Sequence, residues 1–175
     1  MTLSALAALC GIVFFPLAMI YAGLMDLVTL KIRNALVAAI GIAWLVLAPL
    51  AGFSLSDLGA SLGVAGVVLV LSFTFFALGW IGGGDAKLAA VTALWFRPDE
   101  ALLYFAATGV LGGILTLVIL QLRAGLLPPY FYRVPWVAQL QDTRAGVPYG
   151  AAMAPAALIV FPDTAWVAHA SLFAG

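Results

Sequence analysis

Long apolar runs without a single charged side chain dominate this sequence. Residues 3–25, 58–84 and 101–122 contain no Asp, Glu, Lys or Arg. A helix that crosses the hydrocarbon core of a membrane needs about 20 mostly apolar residues, so each run is long enough to span it. Only 8% of the chain is charged, against roughly a quarter in an average soluble protein. A soluble fold of 175 residues cannot bury so much apolar surface, and the sequence therefore predicts an integral membrane protein.

The apolar runs alternate with short polar connectors. This pattern predicts an all-α, polytopic membrane protein with six transmembrane helices in a single membrane-embedded domain, residues 1–175. The predicted helices cover residues 3–25, 35–51, 58–78, 80–96, 101–122 and 147–162.

The basic residues indicate the orientation of these helices. With six spans, Arg97 falls on one side of the membrane, and six basic residues fall on the other: Lys31, Arg33, Lys87, Arg123, Arg133 and Arg144. Cytoplasmic loops are enriched in Lys and Arg, so the side with six basic residues is predicted to be cytoplasmic. Both termini then lie on the non-cytoplasmic side. The formal net charge is zero, which predicts no basic surface for nucleic acid.

Two carboxylates lie at the cytoplasmic edges of apolar runs. Asp26 follows the first run, and Asp85 follows three consecutive glycines, Gly82 to Gly84, near the start of the predicted fourth helix. A charged side chain within a membrane costs about 2.5 kcal/mol or more, so it indicates a functional site. The predicted topology brings both aspartates to the same side, although they are far apart in sequence.

Two neighbouring carboxyl groups supply an acid and a base to one reaction. Held a few ångströms apart they share one proton, because both do not ionise easily. The ionised group takes a proton from water that attacks a peptide carbonyl, and the protonated group donates to the oxyanion or the leaving amine. This chemistry needs no metal, serine or thiol. The titration belongs to the pair, so neither aspartate is assigned as acid or base.

Several neighbours of the aspartates are candidates for shaping the site. Gly82 and Gly84 allow a substrate backbone to approach closely. Lys87 lies on another face of a regular helix from Asp85; we predict that it snorkels to the headgroups, with a direct role in the site as the alternative. Asn34 is expected to cap the second helix, with bracing of Asp26 as the alternative. Four further acidic residues are predicted to be solvated in outer turns: Asp57, Asp99, Glu100 and Asp163.

Three motifs occur in a fixed order along the chain. They are Asp26 with the following Leu30-Lys31-Ile32-Arg33-Asn34, then Gly82-Gly83-Gly84-Asp85, and finally Val147-Pro148-Tyr149-Gly150. Together they resemble the prepilin peptidase family, also called type IV leader peptidases. In that family an Asp and a basic stretch ending in Ile-Pro-Asn precede a Gly-x-Gly-Asp motif, and Pro-Tyr-Gly opens the last helix. Arg33 stands where the family usually has proline.

The resemblance implies an aspartic-type endopeptidase of the bacterial inner membrane, acting near the cytoplasmic face. It implies Asp26 and Asp85 as catalytic residues, with no cofactor and no metal. The residues implied to bind substrate or shape the site are Gly82, Gly84, Lys87, Asn34 and Tyr149. The implied partner is a prepilin or pseudopilin precursor, cut between its basic leader and its hydrophobic helix. Without the paired-cysteine segment of the larger methylating members, the chain resembles the short type found with Flp pili.

Other functions account for part of the pattern. A small ion-coupled transporter would place acidic residues near the bilayer middle and show inverted repeats, and the sequence shows neither. In a non-catalytic assembly subunit the glycines would only pack helices, and Asp26 would pair with Lys31 or Arg33. A presenilin-like intramembrane protease also uses Gly-x-Gly-Asp, but its partner aspartate follows a tyrosine, whereas Met25 precedes Asp26.

Overall fold

The described part of the protein is helical. The computed structural model describes residues 2–124, 134–143 and 145–171, and these contain no β-strand. The helices are α1 (Leu3–Thr29), α2 (Asn34–Leu50), α3 (Leu55–Ala77), α4 (Gly83–Ala93), α5 (Pro98–Arg123), α6 (Pro135–Gln141), α7 (Gly150–Val160) and α8 (Ala165–Ser171). A 3-10 turn, Phe161–Asp163, follows α7. The predicted all-α class is confirmed for these residues.

Among the described residues, three helices are long and apolar enough to cross a membrane, namely α1, α3 and α5. Helices α2 and α7 are shorter apolar helices. Helix α4 has only 11 residues, which at about 1.5 Å per residue give about 16 Å, half of a hydrocarbon core of about 30 Å. The structure therefore supports a membrane protein, and the arrangement of six spans stays a prediction.

Several helix boundaries differ from the predicted ones. Helix α1 continues to Thr29, so Asp26 lies inside the helix and not in the connector. The helix ends where Leu30 adopts a left-handed conformation (φ 52°) and donates its N–H to the carbonyl of Asp26 at 2.8 Å. Helix α4 begins later than predicted because Gly79 turns the chain (φ 75°) and Gly82 is the N-cap. The short helices α6 and α8 were not predicted.

Helix α1 packs closely against α7. A Cβ at Gly23 would lie 2.7 Å from Cβ of Ala154 and 3.2 Å from the carbonyl oxygen of Gly150. Only a residue without a side chain fits this contact, so the two backbones approach each other closely at this point. The contact brings the first residues of α7 beside the last turns of α1, where Asp26 lies.

Helices α3 and α4 run antiparallel, and two serine hydroxyls join them. Ser72 donates to the carbonyl of Ala86 at 3.2 Å, and Ser61 donates to the carbonyl of Phe96 at 3.4 Å. These bonds fix α4 along α3, so that Asp85 lies near the C-terminal end of α3. Beyond the other end of α4, aromatic rings in stacked, tilted and edge-to-face contacts form a buried cluster: Phe15, Trp95, Phe96, Phe161 and Trp166.

One acidic residue at this second end differs from the prediction. Glu100 was expected to be solvated, but Oε2 accepts the N–H of Arg97 at 2.8 Å and Oε1 accepts the N–H of Ala165 at 3.0 Å. Its carboxylate thus caps α5 and also holds the start of α8. The prediction was wrong because Ala165 comes from a distant part of the sequence that folds back onto the start of α5.

Candidate active site

The end of α1, the start of α4 and the start of α7 surround a cavity of about 760 Å³. Both aspartates of the predicted pair line it. The other lining residues are Leu30, Lys31, Ile32, Arg33, Asn34, Gly79, Trp80, Ile81, Gly82, Gly83, Gly84, Gly146, Val147 and Tyr149. All three sequence motifs therefore contribute to one cavity.

The backbone of α7 holds Asp26. The side chain is buried, with 4% of its surface exposed, and the N–H of Gly150 donates to its Oδ2 at 2.7 Å. A Cβ at residue 150 would lie 2.8 Å from this oxygen and 3.0 Å from Cβ of Asp26. A side chain at position 150 would therefore require the Asp26 carboxylate or α7 to shift.

Asp85 faces the same backbone amide from α4. It lies in the first turn of that helix and is partly buried. Its carboxyl group interacts with the charge of Asp26 and with the N–H of Gly150. A Cβ at Gly82 would lie 2.9 Å from Oδ2 of Asp85, so the N-cap glycine gives this carboxylate its room. The structure thus brings together the two aspartates that the sequence pairs.

The glycine run before Asp85 also packs against the protein. A Cβ at Gly83 would lie 3.0 Å from the ring of Phe76, and one at Gly84 would lie 3.3 Å from Cβ of Ile32. Gly82 is exposed at the cavity. The run therefore has two uses, since Gly82 leaves space in the cavity while the next two residues let α4 approach α3 and the α1–α2 connector.

Lys87 and Asn34 form a contact that sequence reasoning did not predict. The Nζ of Lys87 donates to Oδ1 of Asn34 at 3.2 Å, which links α4 to α2. The prediction that Asn34 caps α2 was wrong: Arg33 is the N-cap, without a side-chain cap bond, and Asn34 is the first helical residue. The helix starts one residue earlier than predicted, so the Asn34 side chain is free to reach α4.

Arg33, which stands where proline is usual in the family that the chain resembles, has a proline-like backbone conformation. Its φ of −72° and ψ of 133° lie in the region that proline adopts. The connector therefore has the conformation that a proline would impose, although arginine occupies the position.

Tyr149 and Arg123 fix the chain that leads into α7. A Cβ at Gly112 would lie 3.1 Å from the ring of Tyr149, which shows how closely this ring packs on α5. Arg123 donates to the carbonyls of Leu140 at 3.0 Å and Ala145 at 2.7 Å. Sequence reasoning used Arg123 only for topology and did not assign a role to Gly150. The Pro-Tyr-Gly motif was the available signal for Gly150.

The model of the type IV leader peptidase family matches residues 13–117. This range is more than half of the chain and contains both aspartates, and it ends before the start of α7. A search of curated proteins and a search of solved structures each found no match.

Proposed function

The chain belongs to the type IV leader peptidase family, and we propose that it is an aspartic-type endopeptidase that removes the basic leader of a type IV or Flp-like prepilin. One observation carries the proposal. Asp26 and Asp85, from different helices, line one cavity and face the same N–H of Gly150. Two carboxyl groups that line one cavity, beside space for a peptide, are the groups that water-mediated peptide hydrolysis needs.

The proposed reaction uses both aspartates. The ionised member of the pair takes a proton from water, whose oxygen bonds to the carbonyl carbon of the peptide. The protonated member donates its proton to the carbonyl oxygen. As the C–N bond breaks, the other aspartate gives the proton it took from water to the amine, and the new carbonyl forms as its hydroxyl returns a proton to the first aspartate. The N–H of Gly150 lies at the start of α7, where the helix dipole favours negative charge. It holds the carboxylates in place through the change of protonation.

The cavity suits an extended peptide segment. Its volume of about 760 Å³ falls within the roughly 300–1,000 Å³ typical of ligand sites. Lys31 and Arg33 lie on its lining from the α1–α2 connector, and Trp80 and Ile81 contribute apolar surface from the α3–α4 loop. The apolar surface suits the residues at the start of the precursor's hydrophobic helix.

The proposed topology has six passes, with both termini outside and the aspartates near the cytoplasmic face of a bacterial inner membrane. Basic residues support it, because Lys31, Arg33 and Lys87 belong to the elements around the aspartates, whereas Arg97 begins α5 at the other end of the bundle. Two basic residues used in the prediction, Arg133 and Arg144, lie outside the described residues.

The test is processing of a co-expressed or purified prepilin by single variants. Asp26→Asn and Asp85→Asn keep the shape of the side chain and remove its ability to exchange a proton. Each is expected to lower the rate of cleavage on the order of a thousandfold or more, because the two groups act as a unit. The matched control is Asp163→Asn, an exposed carboxylate after α7, which is expected to cleave like the wild type. Cleavage retained by either catalytic variant, in protein that inserts normally, contradicts the proposal.

A further inference from the structure

Arg123 bridges α6 and the chain that leads into α7. Its Nε donates to the carbonyl of Leu140 in α6 at 3.0 Å, and its Nη2 donates to the carbonyls of Ala145 at 2.7 Å and Gly146 at 3.4 Å. A guanidinium group holds its N–H donors in one rigid plane, so a single side chain fixes two stretches of backbone relative to each other. Arginines at the end of an apolar helix commonly extend to lipid headgroups, whereas this one is half-buried and bound to the protein.

The residues that Arg123 binds belong to a segment that lines the aspartate cavity. Residues 145–149, here called the entry segment, form neither helix nor strand, so their carbonyls need partners outside a regular backbone ladder. Arg123 is the partner for the carbonyls of Ala145 and Gly146. Three members of the segment line the cavity: Gly146, Val147 and Tyr149. Arg123 thus holds part of the cavity wall without lining the cavity itself.

The entry segment ends at the amide that holds Asp26. Gly150 follows directly, and its N–H donates to Oδ2 of Asp26 at 2.7 Å. Only three residues separate Gly150 from Gly146, and one of them, Pro148, is fully buried. Protein interiors are close-packed and transmit displacements, so a shift at the carbonyl of Gly146 reaches the N–H of Gly150.

We propose that Arg123 is a positioning residue for peptide cleavage: it fixes the entry segment and thereby places the N–H of Gly150 against Asp26. The inference rests on the proposed function, because it takes Asp26 as one of the catalytic pair. Arg123 acts through the backbone and not on the substrate. It lies beyond residues 13–117, the part of the chain that the family model matches, so the family match assigns it no role.

The first test measures cleavage by Arg123→Gln, which removes the charge and the rigid fork of donors. Its kcat per folded molecule is expected to fall about tenfold or more, because a misplacement of about 1 Å at a catalytic group costs roughly a hundredfold. A residue that only stabilises the fold would change the folded fraction and leave kcat per folded molecule as it is. Arg97→Gln is the matched control, at the exposed start of the same helix α5, and is expected to cleave like the wild type. Wild-type kcat in folded Arg123→Gln overturns the proposal.

The second test determines whether Arg123 acts through Gly150. The variants Arg123→Gln and Gly150→Ala are compared with the double variant. If Arg123 acts by placing the N–H of Gly150, that contact is already displaced in Gly150→Ala, and adding Arg123→Gln lowers kcat by less than about twofold more. Changes at independent sites instead multiply in rate, and full multiplication of the two losses overturns the proposal.

A third measurement needs no substrate. Spin labels replace two exposed residues, Val28 in the last turn of α1 and Thr143 just before the entry segment. The native Cys10 is changed to alanine because it is exposed as well. The distance between the labels, measured by double electron–electron resonance in proteoliposomes, is expected to have a narrow distribution in the wild type and in Arg97→Gln and a broader one in Arg123→Gln. An equally narrow distribution in Arg123→Gln overturns the proposal.

The two proposals fail in different ways. If the wild type cleaves the precursor and folded Arg123→Gln cleaves it equally fast, the positioning role is wrong and the peptidase proposal stands. If the wild type cleaves no prepilin, the peptidase proposal is wrong, whereas the label distances still show whether Arg123 holds the entry segment.

Discussion

Carboxylates occur at both ends of this helical bundle, and their surroundings differ. At one end, Asp26 accepts the N–H of Gly150, and both Asp26 and Asp85 open onto a large cavity. At the other end, each oxygen of Glu100 accepts a backbone N–H, from Arg97 and from Ala165. The aspartates open onto space for water and a peptide, whereas each oxygen of Glu100 accepts a backbone N–H that fixes a helix end.

Asp57 repeats the second pattern. It forms a capping box with Ser54 at the start of α3, in which Oδ2 accepts the hydroxyl of Ser54 at 2.6 Å. Carboxylates of the same chemistry thus serve two purposes in one protein. The comparison teaches that these carboxylates differ by what lies in front of them, a cavity for Asp26 and Asp85 and the start of a helix for Glu100 and Asp57.

The largest effect among these predictions is expected from a substitution of Gly150, whose N–H donates to Asp26. Gly150→Ala adds a Cβ that would lie 2.8 Å from Oδ2 of Asp26. The carboxylate or α7 must move, and a misplacement of about 1 Å costs roughly a hundredfold in rate. Cleavage assays of the purified variant measure this loss. Gly113→Ala is the control, because a Cβ there meets nothing within 4 Å, and wild-type cleavage by Gly150→Ala would show that the close contact is unimportant.

The opposite end is tested through stability. Glu100→Ala removes the acceptor of two backbone N–H groups, and an unpaired donor costs about 1–3 kcal/mol. The free energy of unfolding in detergent is expected to fall by that amount, while the rate of cleavage per folded molecule stays at the wild-type value. Asp99→Ala, at the exposed neighbouring position, is expected to have the smaller effect. Loss of cleavage in folded Glu100→Ala would mean that the two ends are not separate in function.

The smallest effect is expected in the α1–α2 connector, which lines the cavity of the aspartates. Arg33→Pro fits the observed φ of −72° and restricts the unfolded chain, so it is expected to raise the free energy of unfolding by about 0.4–1 kcal/mol. Arg33→Ala removes the charge without the ring and separates the two contributions. Thermal unfolding and cleavage of all three proteins are compared. A less stable Arg33→Pro would show that the backbone N–H or the arginine side chain is needed there.

The proximity of the aspartates was predictable because helix order determines it. When apolar runs alternate in direction, the end of the first and the start of the fourth lie at the same side. The contact of both aspartates with Gly150 was not predictable in this way. It depends on how closely α1 and α7 approach at Gly23 and Ala154, which is a property of side-chain packing and not of hydrophobic pattern.

Local sequence patterns gave wrong predictions for two side chains that bind residues far away in the sequence. Asn34 precedes an apolar run and is a residue type that often caps helices. In the structure its side chain accepts from Lys87 of α4, and α2 starts without a side-chain cap. Glu100 lies beside a polar turn, where charged side chains usually face water, but it accepts the N–H of Ala165. In both cases the partner lies more than 50 residues away, outside the range of a local pattern.

The lengths of the helices have a consequence for the surrounding lipid. Helices α1, α3 and α5 have 27, 23 and 26 residues, whereas α4 and α7 have 11 each. A bilayer adapts to short apolar segments by thinning, at a cost of fractions of a kcal/mol per ångström of mismatch. On the proposed topology, acyl chains beside α4 and α7 are compressed, and water comes closer to the aspartates. We therefore expect the rate of cleavage to depend on lipid chain length, because a thicker bilayer opposes this deformation.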